Sequence, residues 1–173
     1  MAFAVTIVPY RESWPDDFAA EAARLRTALG PACVRLHHIG STAVPGLAAK
    51  PIIDVLVEAE SLAALDARGG EMEKLGYEVM GEFGLPERRY FRKDDAAGVR
   101  THQVHAWLAG SPELARHLAF RDYLRKHPEV AREYGALKGR LVAASRDLEA
   151  YIAGKDAFVK EVERRALAWA GRG

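Results

Sequence analysis

Two short apolar runs, Val34–Ile39 and Ile52–Glu58, are joined by Gly40-Ser41-Thr42-Ala43-Val44-Pro45-Gly46-Leu47-Ala48-Ala49-Lys50-Pro51. The runs have the length and side chains of β-strands, and the small residues, prolines and glycines between them force the chain through a loop. A glycine directly after a strand lets the backbone turn sharply and approach a ligand, and the Ser41 hydroxyl with successive amides can hold phosphate oxygens. The second run carries one carboxylate, Asp54. An ionised carboxylate buried on a sheet costs several kcal/mol unless a cation, a metal or hydrogen-bond donors compensate, so something positive should lie near it. An isolated aspartate at a strand end is most simply an ion-pair partner or a loop cap. Here Gly40-Ser41 precedes it, with twelve residues between Ser41 and Asp54, and that arrangement favours a functional role.

The surrounding pattern is mixed. Phe3–Val8 reads as a short β segment, and Pro15 opens a helix in which Phe18, Ala22, Leu25 and Leu29 recur at helical spacing before Gly30-Pro31 stops it. Ser61 caps a helix expected to reach about Leu75, weakened by Gly69-Gly70. Tyr77–Met80 reads as a strand, and Arg88–Lys93 with Val99–Leu108 read as a hairpin closed by Asp94-Asp95-Ala96-Ala97-Gly98. After Gly110-Ser111-Pro112 the texture becomes helical, with stripes Leu114/Leu118, Val130/Tyr134/Leu137/Leu141 and Leu148/Ile152/Val159/Val162, and His127-Pro128 dividing the first two. These elements predict an α+β chain read as one domain over 1–173: an α/β core over 1–110 and a helical extension over 111–173 packed on it.

Composition narrows the class. The 173 residues suffice for a core without disulfides. With 25 Lys and Arg against 24 Asp and Glu, no long-range field suited to gripping duplex nucleic acid is expected. The single Cys33 excludes an intramolecular disulfide and a multi-cysteine zinc site, and it reads as a small packed residue in a reducing cytoplasm. No stretch reaches about 18 uninterrupted apolar residues, so no membrane partner is expected, and a monomer or small homo-oligomer is. The loop is neither a Walker P-loop nor a dinucleotide fingerprint, because the required Gly-Lys and G-x-G-x-x-G patterns are absent.

The stretch HIGSTAVPGLAAKPIID resembles the signature of the GrpB family, whose members look like a branch of the nucleotidyltransferase superfamily. The resemblance extends through Trp14-Pro15, Phe91, THQVH, the run Phe120–Arg125, Tyr134-x-x-Leu137-Lys138 and Tyr151-x-x-x-Lys155-x-x-Phe158. It implies a nucleotidyltransferase-like mixed β-sheet core with an N-terminal helix and appended C-terminal helices. It also implies a Gly40-Ser41-Thr42 loop that holds a nucleoside triphosphate and carboxylates that bind two Mg²⁺ ions for transfer to a small-molecule acceptor. The chain departs from that pattern. Strand parity places Ile52, Asp54 and Leu56 on one face, so the expected acidic partner of Asp54 is aliphatic. The later strand offers His102, Gln103 and His105 where a third carboxylate would stand; the family favours H-x-H there, and this chain has Gln103 at the first of those positions.

Asp54, His105 and Gln103 are the candidate metal ligands for Mg²⁺, and Asp54 and His105 the candidate catalytic pair. His102 should face away from His105. Of the adjacent histidines, His38 rather than His37 should look toward the loop, as a candidate for the phosphate site. Lys50, just before the aspartate strand, is the better candidate to meet a phosphate or neutralise Asp54. Arg121 needs a phosphate or a carboxylate such as Asp122; Lys138, Tyr151 and Lys155 are phosphate-site candidates with solvated helix faces as the alternative. Arg88 and Arg89 are secondary candidates. A non-catalytic nucleotide- or anion-binding module that keeps the loop without the paired carboxylates is the competing functional reading.

Overall fold

The computed structural model describes residues 5–172. Phe3 and Ala4 of the expected first β segment lie outside them, and Val8 makes only an isolated antiparallel bridge with Ala49 through backbone hydrogen bonds of 2.9 and 3.0 Å.

Helix α1 (Trp14–Leu29) begins with Pro15 in its first turn, where a missing N–H costs nothing, and has Asp16 and Asp17 at its positive end. It leads into β1 (Cys33–Ile39), the loop, and β2 (Ile53–Ala59). The expected helix after Ser61 is divided into α2 (Leu62–Asp66) and α3 (Gly69–Lys74). Ser61 does cap the first piece, accepting the Ala64 amide at 3.0 Å; the glycine pair that supplies little helix propensity starts the second. Strand β3 (Tyr77–Val79) precedes the hairpin of β4 (Arg89–Asp94) and β5 (Arg100–Leu108). At its tip the Asp95 carboxylate accepts the amides of Ala97 and Val99, a side-chain-stabilised turn. Helices α4 (Pro112–Lys126), α5 (Pro128–Ala144) and α6 (Leu148–Ala170) complete the chain. No described helix is long and apolar enough to cross a membrane.

The five strands form one mixed sheet in the order β1-β2-β5-β4-β3, with β2 and β5 parallel at its centre and the other pairs antiparallel. One face, carrying Leu36, Val55, Val57, Phe91, Val104 and Ala106, packs under α1, α2 and α3. On the other face Ile39, Leu56 and Trp107 meet Leu114 of α4. Helices α4, α5 and α6 share a second apolar cluster that takes in Val44 and Leu47 of the loop. The loop is thereby anchored to the helical layer as well as to the strands it joins.

The helix stripes differ from expectation in α6. Val162 is buried as expected, but Leu148 and Ile152 are exposed, and Tyr151 and Ala166 are buried in their place. The inward stripe is displaced by one residue and passes through Lys155; in α5 it passes through Tyr134 and Lys138, the latter only 3 % exposed. Both helices therefore turn an ammonium group inward, which apolar periodicity alone does not reveal.

Glu21 is the buried acid of the α1 face, 1 % exposed. It accepts hydrogen bonds from Tyr77 at 2.7 Å, Arg24 at 2.9 Å and Lys93, with His102 at 4.0 Å. Burial would raise its carboxyl pKa, but the bonds from Lys93 and Tyr77 outweigh burial and hold it below the ordinary range. Its stabilising contribution is thus present above the unfolded pKa and lost as pH falls through the folded one. Glu21→Gln should leave Lys93 without its charge partner and lower stability by about 3 kcal/mol at pH 7, with a loss that shrinks on acidification; denaturant melts at pH 7 and pH 3.5 measure both.

Candidate functional site

Sheet register sets the site. Ile39 pairs with Asp54 and Asp54 with Gln103, while Leu56 pairs with His105. Paired residues share a face, so Asp54, Gln103 and His105 all point from the central strands toward the C-terminal helices. His102 faces the other way, toward Glu21. The His105 Nε2 lies 3.6 Å from Asp54 Oδ1.

The loop passes directly over the aspartate. Gly40 has φ +75°, and a Cβ built there would lie 2.7 Å from Asp54 Oδ2. Only glycine supplies both the backbone conformation and the space. After it, Ser41–Ala43 form a single 3-10 turn. The turn is held from behind by His38, which pairs with Val55 on the α1 face. His38 stacks on Phe18 with 4.8 Å between ring centroids and makes a 2.9 Å hydrogen bond between its Nε2 and Thr42 Oγ1. Burial, assisted by Arg125 and Arg121, lowers its pKa to about 4 against the pull of Asp54, so the imidazole is neutral. His38 therefore touches the loop from the side opposite Asp54.

From α4 the guanidinium groups clamp the same backbone. Arg121 donates to the His38 carbonyl at 3.1 Å and to Asp122 at 2.8 Å, and Arg125 donates to the Ala43 carbonyl at 2.8 Å. Arg121 is thus placed as a loop clamp, apart from the cavity under the loop. Arg88 is turned onto the carbonyls of Glu82 and Phe83, and Arg89 forms a two-bond pair with Asp66; neither is brought to the site.

A cavity of about 150 Å³ opens beside the loop, and Ser41, Thr42, Lys50, Asp54, Gln103, Lys138 and Lys155 all line it. Tyr134 and Tyr151 supply its aromatic wall. Lys138 Nζ donates to Ser41 Oγ at 2.8 Å and lies 4.5 Å from the Tyr134 ring centre. Lys50 and Lys155 each stand 4.9 Å from the Tyr151 ring centre. Burial, then the like charges of Lys155 and Lys50, push the Lys138 pKa down to about 7 against the pull of Asp54. Lys50 and Lys155 are also lowered, each first by burial. Cation–π contacts with the tyrosines offset part of this cost. The balance is three ammonium groups around one carboxylate, an electropositive pocket.

A second cavity of about 320 Å³ adjoins the first across Asp54 and Lys155, which line both. Its walls include His105, His117, Phe120 and Ile152. His117, whose pKa burial and then Arg116 lower to about 3, lies 6.1 Å from the His105 ring. Sequence reasoning did not single out His117. It stands one position off the Leu114/Leu118 stripe, and no motif marks it.

The donor set does not fit a pair of Mg²⁺ ions. Hard cations of this kind take carboxylate and phosphate oxygens, and the position two residues beyond Asp54 is Leu56, fully buried in the apolar cluster with Ile39, Trp107 and Leu114. Across the parallel strand the same face carries Gln103 and His105. Among the described residues no group of three or more His, Cys, Asp or Glu side chains could hold a metal ion.

Comparison with known proteins places this geometry. The sequence pattern of the family described as GrpB protein matches residues 4–165. The chain is 45% identical over 166 residues to the UPF0157 protein YqkA of Bacillus subtilis, aligning 95% of this chain with 48% of YqkA, so it spans about half that protein's length. It is similar to the crystal structure of conserved protein GrpB from Enterococcus faecalis, with a TM-score of 0.90, 46% identity, and coverage of 95% of this chain and 99% of that one. The structure of Cid1 in complex with its short product ApU is a remote neighbour, with a TM-score of 0.53, 14% identity, and coverage of 76% and 42%, and it shares the nucleotidyltransferase-type fold alone. On the family match and the sequence it covers, the chain belongs to the GrpB family.

Proposed function

We propose that the chain binds a nucleoside triphosphate by its phosphates, which occupy the cavity of Ser41, Lys50, Lys138 and Lys155, with the nucleoside in the adjoining cavity along His105 and His117. The observation that carries this reading is the concentration of three partly or fully buried ammonium groups against a single carboxylate behind a Gly-Ser loop. Holding those charges out of water is unfavourable, as the lowered lysine pKa values show, and an anion reverses the cost by giving each a charge-assisted hydrogen bond. Size supports two subsites. The first cavity is below the range of about 300–1,000 Å³ typical of small-molecule sites, whereas the second, at about 320 Å³, lies within it.

Calorimetric titration of ATP, GTP, CTP and UTP into the full chain tests this. Because the charged contacts are to phosphates, all four should bind within about tenfold of one another, and nucleosides without phosphates should not bind measurably. Failure of every nucleotide to bind overturns the reading.

Nucleotidyl transfer to a small-molecule acceptor is a second reading, favoured by the 3.6 Å approach of His105 to Asp54 at the boundary of the two cavities. An imidazole oriented by a carboxylate is suited to take the proton of an acceptor hydroxyl. Pyrophosphate release from a nucleotide that ceases in His105→Ala would support it, and release unchanged in that variant would exclude this role.

A further inference from the structure

We propose that the cavity takes its polyphosphate as the metal-free anion, with the ammonium groups of Lys50, Lys138 and Lys155 in the charge-neutralising role that divalent ions have in the nucleotidyltransferase superfamily. The inference rests on the phosphate-binding reading above and goes beyond it by specifying the ionic form of the ligand.

Three features lead to it. The first is the donor inventory: Leu56, packed with Ile39 and Trp107, occupies the strand position where a second carboxylate would stand, and the cavity that holds the three lysines is lined by Asp54 as its one carboxylate. The second is the direction of the field. Lys138 is tied to Ser41 Oγ at 2.8 Å, at the mouth of the loop itself, and Lys50 and Lys155 flank the Tyr151 ring at 4.9 Å each. The cations thus approach one volume from β2's lead-in, from α5 and from α6. A phosphate chain carrying its own Mg²⁺ has part of its negative charge already neutralised, so the free anion is drawn more strongly to the three ammonium groups. The third is Asp54. With no metal to hold, its carboxylate, which lines the same cavity, faces the ligand as a like charge.

This last point separates the inference from metal-assisted binding. If Asp54 holds a metal that carries the phosphates, its neutralisation must weaken binding. If the lysines alone carry them, neutralising Asp54 removes a repulsion and strengthens binding in titrations run at pH 6, below the value of about 7 to which Lys138 is lowered, so that its ammonium is kept.

The experiment is isothermal titration of inorganic tripolyphosphate into the full chain and into Asp54→Asn, each with EDTA and with excess Mg²⁺, with a thermal melt of each variant to verify folding. We expect binding in EDTA, weaker binding in excess Mg²⁺ because the metal sequesters the free anion, and about tenfold tighter binding to Asp54→Asn in EDTA. Lys155→Met, on α6, provides an independent arm and should bind at least about tenfold more weakly in EDTA. Binding that requires Mg²⁺, or that Asp54→Asn weakens, overturns the inference. Tripolyphosphate binding as expected without binding of any nucleoside triphosphate would overturn only the nucleotide reading. Nucleotide binding that needs Mg²⁺ would sustain the nucleotide reading and overturn this one. No tripolyphosphate binding under either condition overturns the metal-free site.

Discussion

Lys138→Met should weaken phosphate binding by about a hundredfold and at the same time stabilise the unliganded protein below pH 7. Both effects follow from one side chain held 3 % exposed. A charge-assisted hydrogen bond to phosphate contributes up to about 3 kcal/mol, which is about two decades in affinity. In the unliganded protein that ammonium is a cost. Burial and the charges of Lys155 and Lys50 lower its pKa from 10.5 to about 7, so between those values the unfolded chain keeps a proton that the folded chain has released. Stability therefore rises with pH through this interval, and the full burial penalty is present below it. Methionine matches the stem of lysine without the charge and relieves the penalty. The gain should be largest near pH 6 and shrink toward pH 10, and scanning calorimetry at those two values measures it. Absence of any gain at pH 6 would mean that Lys138 is already compensated in the unliganded state, and the argument for an anion would fail with it.

The same residue shows where sequence reading reaches its limit. The strand-loop-strand unit and the opposite facing of His102 and His105 follow from a period of two and from loop chemistry, which are local properties, whereas the face that His105 shares with Asp54 is set by the register of β2 with β5. The lysines are not local. A lysine on a helix reads as a solvated face unless something identifies that face as inward, and in α5 and α6 the inward stripe is identified by Tyr134 and Tyr151, on which Lys138 and Lys155 rest. Choosing the aliphatic residues Leu148 and Ile152 displaced the stripe by one position, because at a wet cavity the inner face of a helix is not the most apolar one. His38 illustrates the complementary case: adjacency to Gly40 suggested a ligand-facing side chain, whereas register with Val55 places it behind the loop, where its bond to Thr42 positions the backbone. Arg121 was equally ambiguous in sequence, since a guanidinium satisfied by Asp122 and a carbonyl has the same spacing as one waiting for phosphate.

Gly40→Ala should lower stability by about 3 kcal/mol and abolish the arrangement of loop and carboxylate together. Two separable costs make up the effect. A non-glycine residue at φ +75° is strained by about 1–2 kcal/mol. The new Cβ also meets Asp54 Oδ2 at 2.7 Å, nearer than such atoms approach, so the carboxylate must rotate away or the loop must lift from β2. Chemical denaturation of Gly40→Ala, Asp54→Ala and the double variant resolves the two. Removing the carboxylate oxygens relieves the closest contact but leaves the aspartate Cβ position 3.2 Å away and the backbone strain untouched. The double variant should therefore be more stable than the sum of the single losses predicts, by about 1 kcal/mol, while remaining below Asp54→Ala alone. Strict additivity would place the whole cost in the backbone, and the glycine would then be a turn residue with no part in seating Asp54 beside the cavity. Coupling makes Gly40 the residue that fits the loop to its carboxylate, which is the physical reason for a Gly-Ser turn followed by an aspartate on the next strand.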